Sequence, residues 1–309
     1  MLIRNISYDL KKNILSLNFL IGIVAVLVMI FFTNCVVFDG ETPNYSYIEF
    51  VFKTDRDFWL KNPLYSEVNM FIRGFNSQWL AYFLPVLTGI ACVPMLCDEL
   101  NSTNFRIVCS RCGFKNYIRS KFLSAIITAT LIVIIPYIIF GIFCMIAFPD
   151  TNEYLSVLSE NFPPKMVEFF KSSMSLKGYP LNNLFDTESR LVFVFGKLFM
   201  ASCFSAMSCL SAMLFGAFTL NKFVSMAFTV LLYFGTSQIV VNHISKSFNS
   251  NKQTGIIYIL ESRGRFYEGE LVFEQITGLP LWVMFAYIGL SLITLYILFY
   301  ITLNRKLRS

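Results

Sequence analysis

Six long apolar runs constrain this chain more than any other feature of its sequence. Each reaches or exceeds the roughly 20 residues that an α-helix needs to cross a bilayer. They lie at about 14–37, 76–97, 122–148, 191–219, 223–245 and 279–303. Backbone polar groups in hydrocarbon must be satisfied within the protein, and the runs are too long for barrel strands. With charged residues at only 14% of the chain, the sequence predicts an all-α integral membrane protein with six transmembrane helices.

Basic residues predict the orientation, because cytoplasmic segments of membrane proteins carry an excess of lysine and arginine. With both termini inside, the inner segments hold twelve basic and three acidic residues. The long loops at 38–75, 149–190 and 246–278 then lie outside as sizeable extracellular loops that are acidic overall. We expect one transmembrane domain over 1–309 in a bacterial plasma membrane, with an amphipathic segment at 1–13. Residues 220–222 would form a tight hairpin.

One substantial segment lies inside, at 98–121. Ser102 or Thr103 can cap the N-terminus of a short helix there, and Gly113 can end that helix in the left-handed conformation. Three apolar side chains share one helical face: Phe105, Val108 and Cys109. The pattern predicts a short surface helix with an apolar ridge for a partner. The alternative is an ordinary basic loop with incidental amphipathicity.

A recognisable order of residues runs through 98–121: an acid, a small-residue turn, Ser-Arg, Gly, Tyr-Ile and Ser-Lys. The positions are Glu99, Ser102, Thr103, Arg106, Ser110, Arg111, Gly113, Tyr117, Ile118, Ser120 and Lys121. This order resembles the coupling-helix segment between helices 2 and 3 in permeases of the type-2 ATP-binding cassette (ABC) exporter family. The six helices with both ends inside are also similar to that family. One departure is Asn101-Ser102, which stands where the family usually has Gly after the acid.

The resemblance implies the permease subunit of an ATP-driven exporter that moves a peptide, drug or lipid-like cargo outward. It further implies two copies of a separate ABC ATPase subunit and a second permease subunit, the same or a related one. The residues implied to couple to the ATPase are Glu99, Phe105, Arg106, Val108, Arg111, Gly113, Tyr117 and Lys121. We expect Phe105 and Val108 to be exposed, with arginines around them.

Motifs for catalysis are missing from the sequence. There is no G-x-x-x-x-G-K-[ST] phosphate loop, since Gly196-Lys197 lacks the upstream Gly and the following Ser or Thr. We therefore predict no catalytic residue and no cofactor in this chain, with ATP and Mg held by the partner ATPase. Cys109-x-x-Cys112 is only half of a zinc site, so no metal is predicted. The positive charge is explained by its placement, so nucleic acid is not an expected partner.

The fourth predicted helix carries the one ionisable residue inside a span, Lys197. This side chain either reaches back to the membrane surface or faces a translocation path or dimer interface. The same helix has a stripe of small residues, which lets helices approach closely in lipid. The stripe is Ala201, Ser205, Ser208 and Ala212. We expect close helix packing there, within the protomer or between protomers.

A second interpretation of the chain is a stand-alone membrane protein. It would be either a secondary transporter or a sensor that uses the long outer loops. A secondary transporter should place several ionisable residues at mid-membrane, and this chain offers Lys197. A sensor fits the loop lengths but leaves the segment 98–121 unexplained. The lipid bilayer is the one partner that both interpretations share.

Overall fold

A computed structural model describes residues 2–32, 34–36, 45–55, 59, 65–75, 78–102, 104–150, 189–232 and 281–308. Most of them are helical. The helices are α1 (Leu2–Ile14), α2 (Leu17–Phe32), α3 (Tyr47–Lys53), α4 (Glu67–Phe75), α5 (Gln78–Gly89), α6 (Val93–Asn101), α7 (Asn104–Cys112), α8 (Phe114–Ala147), α9 (Arg190–Thr219), α10 (Lys222–Leu232) and α11 (Leu281–Arg308). A two-stranded antiparallel ribbon joins β1 (Asn34–Val36) to β2 (Tyr45–Ser46).

Three of the described helices are long and apolar enough to cross a membrane: α8, α9 and, in α11, Ile288–Leu307. The number rises to five if each of two bent helix pairs forms one span. These pairs are α1 with α2, which meet at 61°, and the end of α5 with α6, which meet at 53°. A helical protein with several apolar helices that could cross a membrane is therefore confirmed as the class, while six spans and their orientation stay predictions.

The breaks bear on two predicted helices. The interruption at 15–16 separates α1, where an amphipathic segment is predicted at 1–13, from α2, which is shorter than the predicted 14–37 and ends at Phe32. Ser16 causes the interruption, because its hydroxyl donates to the Asn13 carbonyl at 2.6 Å and accepts from the Phe19 N–H at 3.2 Å. The run 76–97 is broken between Gly89 and Val93, where Pro94 lies in the first turn of α6 and has no N–H to donate.

The fourth predicted helix and the hairpin after it agree with the structure. Helix α9 spans Arg190–Thr219, against 191–219 predicted, and α10 begins three residues later. Leu220 takes a left-handed φ of 56°, and the Asn221 side chain accepts from the N–H of Phe223 at 3.0 Å. The tight turn at 220–222 is confirmed. Of the predicted fifth helix, 223–245, the part beyond Leu232 lies outside the described residues, as do 151–188 and 246–278 of the predicted outer loops.

The chain divides into two compact units. One unit contains residues 1–26, 81–134 and 199–309, and the other contains 27–80 and 135–198. The second unit has an aromatic core around Phe140, whose ring centroid lies 4.9 Å from that of Tyr47 and 6.0 Å from that of Phe71. A Cβ at Gly74 would collide with the Phe140 ring, so α4 and α8 approach too closely for a side chain there. Part of the predicted outer loop 38–75 is thus folded.

Candidate functional site

Helix α7 forms where the sequence predicts a short helix, and Gly113 defines its C-terminal end. Before it, Ser102 closes α6, because its hydroxyl donates to the Glu99 carbonyl at 2.9 Å; Thr103 lies outside the described residues. After it, Gly113 adopts a left-handed φ of 81°, which a side chain disfavours. The N–H of Gly113 still bonds to the Cys109 carbonyl at 3.0 Å, so α7 passes into α8 through one residue.

The segment 98–121 is more helical than expected. Residues 98–101 form the last turn of α6, and α8 begins at Phe114 rather than near 122. Tyr117 and Lys121 therefore lie on a long helix and not in a loop. This corrects the bounds of the coupling loop and leaves α7 as the part that stands apart from the flanking helices.

The apolar ridge of α7 is turned inward. Phe105 is 4% exposed and Cys109 is 6% exposed. The Phe105 ring packs edge-on against the Tyr117 ring of α8, with 5.4 Å between centroids. We expected Phe105 to be an exposed anchor, and this expectation is wrong because Tyr117 already covers it. Val108 keeps 37% of its surface exposed, and the neighbouring Ile107 keeps 46%.

Charges from three helices meet beside this aromatic pair. The Lys121 ammonium of α8 lies 2.6 Å from a Glu99 carboxylate oxygen of α6 and 2.8 Å from an Asp9 carboxylate oxygen of α1. The hydroxyl of Ser120 donates to the other Asp9 oxygen at 2.5 Å. The ammonium also lies 5.4 Å from the centroid of the Tyr117 ring. We refer to Asp9, Glu99, Ser120 and Lys121 as the charged cluster.

The charged cluster is mostly removed from water, and this decides its energetic weight. The side chains of Lys121, Asp9 and Glu99 are between 10% and 13% exposed. An exposed ion pair contributes about 0–1 kcal/mol. Removing one partner of a buried pair costs about 3–5 kcal/mol, because the other charge is left unpaired in a low dielectric. The cluster therefore couples α1, α6 and α8 strongly. A cavity of about 440 Å³ opens beside it.

Half of the predicted coupling residues come together in this way. Glu99, Lys121, Phe105 and Tyr117 form one continuous group. Sequence reasoning missed Asp9 and gave Ser120 no coupling role, although a signal for Asp9 was present. Polar side chains recur every four residues along α1, which gives it one polar face: Asn5, Asp9 and Asn13. That face is turned inward, since Asp9 and Asn13 are buried and the Asn13 amide donates to the Thr128 hydroxyl at 3.3 Å.

The outer face of α7 carries three more of the predicted residues, Arg106, Val108 and Arg111. Arg106, Ile107, Ser110 and Arg111 are exposed, beside the half-exposed Val108. On the first turns of α8, Lys115 and Arg119 are exposed as well. The combination is an accessible basic surface with two aliphatic side chains in it. We call the residues Arg106, Ile107, Val108 and Arg111 the α7 outer face.

The two cysteines of α7 differ in accessibility. Burial raises the pKa of the Cys109 thiol to about 12. Burial also raises the pKa of Cys112, which is partly exposed and donates its S–H to the Val108 carbonyl at 3.0 Å. Within the described part of the chain, no group of three or more His, Cys, Asp and Glu side chains could hold a metal ion.

Helix α9 brings its small residues into the interior of the protomer. Ser205, Ser208 and Ala212 are fully buried. A Cβ placed on Gly89 of α5 would come within 3.2 Å of the Ala212 Cβ, and the Ser225 hydroxyl of α10 donates to the Ala212 carbonyl at 2.5 Å. At its C-terminal end the stripe therefore packs within the protomer; Ala201, at the other end, is 3% exposed.

Lys197 is also buried. It is 5% exposed, and its ammonium lies 6.0 Å from the centroid of the Phe193 ring one turn earlier. The membrane-surface, translocation-path and dimer-interface roles of this lysine stay predictions.

Comparisons with protein-family models, with curated proteins and with solved structures return no match.

Proposed function

We propose that this chain is the permease subunit of an ATP-driven ABC exporter and that α7 is its coupling helix. The observation that carries the proposal is the charged cluster, which fixes the helices on both sides of α7 to each other and to α1. A short helix held on such a base, with the α7 outer face accessible, has the form expected of a docking element that transmits force. The resemblance of residues 98–121 to the exporter family supports the same assignment.

The mechanism follows from rigidity. Displacement of α7 by a partner moves α6 and α8 together, because separating Lys121 from its carboxylates costs several kcal/mol. Helix α8 is long and apolar enough to cross a membrane. Helices α1 and α6 each belong to a bent helix pair that is also long and apolar enough when its two halves are taken together. A push on the outer face of α7 thus tilts helices within the bilayer. Packed helices have discrete arrangements and deform little in between.

The other components of the assembly belong to the proposal as well. Two ATPase subunits, with their ATP and Mg, bind the coupling helices of two permease subunits in a bacterial plasma membrane. The cargo is a peptide, a drug or a lipid-like molecule that moves outward. The anchors on this chain are Ile107 and Val108, with Arg106 and Arg111 supplying charge to an acidic surface on the ATPase. A few such residues usually carry most of an interface.

Co-purification tests the proposal. The tagged chain would be extracted from its native membranes, the eluate analysed by mass spectrometry, and its ATP hydrolysis measured. We expect an ATPase to elute with the wild-type chain and to be lost from the variant Arg106→Glu/Arg111→Glu. The matched control is Lys11→Glu/Arg305→Glu, which reverses two exposed charges outside α7. It should retain the ATPase.

Two results would contradict the proposal. One is a wild-type eluate without an ATPase and without ATP hydrolysis. The other is an ATPase that remains bound to both double variants in equal amounts, since the α7 outer face would then play no part in docking. The first result would favour the stand-alone interpretation, in which the buried Lys197 becomes the residue to test for transport. The second would place the docking surface for the ATPase outside α7.

A further inference from the structure

An apolar groove lies between α8 and α9 in the unit formed by residues 27–80 and 135–198. Its volume is about 170 Å³. Its walls are Ile138, Ile142 and Met145 on α8 and Val194 and Leu198 on α9, and its floor includes Phe71 of α4. The groove is narrow because Gly141 lets α4 approach α8: a Cβ at this position would lie 3.2 Å from the Phe71 ring. It is open to the outside, since its wall residue Ile142 is 53% exposed.

The mouth of the groove is charged. Arg190, the first residue of α9, contacts Glu67 of α4 through one guanidinium nitrogen. Its other terminal nitrogen lies 2.7 Å from a carboxylate oxygen of Asp150. The side chains of Arg190 and Asp150 remain 41% and 45% exposed, whereas that of Glu67 is 12% exposed. Burial raises the pKa of Glu67, with Arg190 opposing that shift. The mouth thus presents one accessible cation and one accessible anion side by side.

The dimensions suit one hydrocarbon chain. From Arg190 to Leu198 the groove follows α9 for eight residues, which at 1.5 Å per residue is about 12 Å. One leaflet of a bilayer has a hydrocarbon depth of roughly 15 Å. An apolar cavity of about 150 Å³ holds a single benzene ring, so this groove has room for part of one chain. Because α8 and α9 are both membrane-crossing by length and composition, the groove opens toward lipid.

We propose that this groove is a binding site for one phospholipid with a primary ammonium in a zwitterionic headgroup, such as phosphatidylethanolamine. One acyl chain lies in the groove against Ile142. The phosphate binds the exposed part of the Arg190 guanidinium, which has five donors and an affinity for phosphate. The ammonium donates to Asp150. The glycerol headgroup of phosphatidylglycerol can donate only neutral hydroxyl hydrogen bonds to Asp150, which are weaker than the charge-assisted bond from an ammonium. A choline headgroup has no N–H to donate.

Native mass spectrometry of the full-length protein tests this proposal. The delipidated protein in detergent would be mixed with equal amounts of phosphatidylethanolamine, phosphatidylcholine and phosphatidylglycerol carrying the same acyl chains. We expect one phosphatidylethanolamine to be retained, at about three times the level of each competitor, as a partly exposed charge pair allows. Asp150→Asn should reduce its retention to the level of phosphatidylcholine.

The groove itself is tested by filling it. Ile142→Trp should lower retention of all three lipids by about tenfold, because its side chain occupies the volume of the acyl chain. Ile146→Trp is the matched control, since Ile146 is 80% exposed on the same helix and does not line the groove. Thermal unfolding verifies that both variants are folded, and Ile142→Phe replaces Ile142→Trp if it is not. Equal retention of the three lipids by the wild-type protein would overturn the headgroup assignment. Equal retention by the two Trp variants would overturn the site.

Discussion

Lys121 separates two carboxylates that would otherwise repel each other. Its ammonium lies within 2.8 Å of both Asp9 and Glu99, and all three side chains are largely buried. The cluster contains two anions and one cation, so its formal charges sum to −1. Lys121 is its one positive group. Its removal has two consequences: two attractive contacts are lost, and two buried carboxylates face each other without the cation between them, although Ser120 still donates to Asp9.

Lys121→Met keeps most of the side-chain volume and removes the charge. We expect it to destabilise the folded protein by about 3 kcal/mol, equivalent to a fall in apparent Tm of roughly 6–12 °C. Thermal unfolding of the purified protein in detergent measures this. Lys11→Met is the control, since Lys11 is exposed on α1, and it should change Tm little.

The triple variant Asp9→Asn/Glu99→Gln/Lys121→Met separates charge from packing. Because it leaves no unpaired charge, it should recover at least half of the Tm lost in Lys121→Met. A triple variant as unstable as the single one would mean that the lysine acts through packing of its stem and not through the ion pairs.

Thiol chemistry on α7 provides a pH-dependent prediction. The pKa of Cys109 is raised to about 12, so its reactive thiolate is scarce at neutral pH and increases about tenfold per pH unit well below that value. Alkylation of Cys109 should therefore accelerate about tenfold from pH 8 to pH 9 and continue to rise. The more exposed Cys112 should be modified first. Peptide-resolved mass spectrometry measures both rates. A rate for Cys109 that levels off near pH 9 would show an ordinary, accessible thiol.

At the scale of elements, the C-terminus of α7 is the part that local sequence predicts best. A left-handed residue after a helix is most often Gly, so Gly113 marks the end of α7 correctly. The small-residue stripe on α9 also predicts buried packing, because small side chains let neighbouring helices approach closely. Both rest on rules that involve a few neighbouring residues.

Long-range pairing is beyond what the local sequence predicts. The Ser120–Asp9 hydrogen bond joins residues 111 positions apart, and nothing near Asp9 identifies its partner. The burial of Phe105 is missed for a related reason. The sequence predicts which face of α7 carries Phe105, but whether that face meets Tyr117 depends on how α7 packs against α8. The break between α5 and α6 is also missed. In the sequence its proline is indistinguishable from one that causes an ordinary kink, because hydropathy contains no information on the direction of the chain.

The junction between α7 and α8 depends on Gly113. At φ 81° the backbone of any residue with a side chain is strained. The space itself is open, because the nearest atom to a Cβ placed there would be the Asn116 amide nitrogen at 4.0 Å. Gly113→Ala should thus destabilise the protein by about 1–2 kcal/mol through backbone strain. Gly113→Asn should cost less, because Asn tolerates the left-handed region better. Thermal unfolding of the two variants compares them. Equal Tm values for wild type and Gly113→Ala would mean that the junction adopts another conformation in solution.

At the scale of the whole molecule, the number of spans depends on the two bent pairs. Helices α8, α9 and α11 qualify as spans by length and hydropathy, and the pairs α1–α2 and α5–α6 qualify only when their halves are taken together. If both pairs cross the membrane, residues 45–55 lie on the side opposite to α1 and to α7. If neither crosses, α1, residues 45–55 and α7 share one side. The charge distribution favours the first arrangement.

Cysteine labelling in intact cells distinguishes these arrangements. Single substitutions Lys11→Cys, Asp55→Cys, Ser110→Cys and Asn152→Cys would be treated with a membrane-impermeant maleimide, with peptide-resolved mass spectrometry to set aside the native cysteines. We expect Asp55→Cys and Asn152→Cys to react before permeabilisation and the other two only after it, since bent pairs that cross the bilayer make these four positions alternate. If Asp55→Cys and Ser110→Cys both react only after permeabilisation, each bent pair stays on one side of the membrane. Reaction of Ser110→Cys in intact cells would put α7 outside, beyond the reach of any cytoplasmic ATPase.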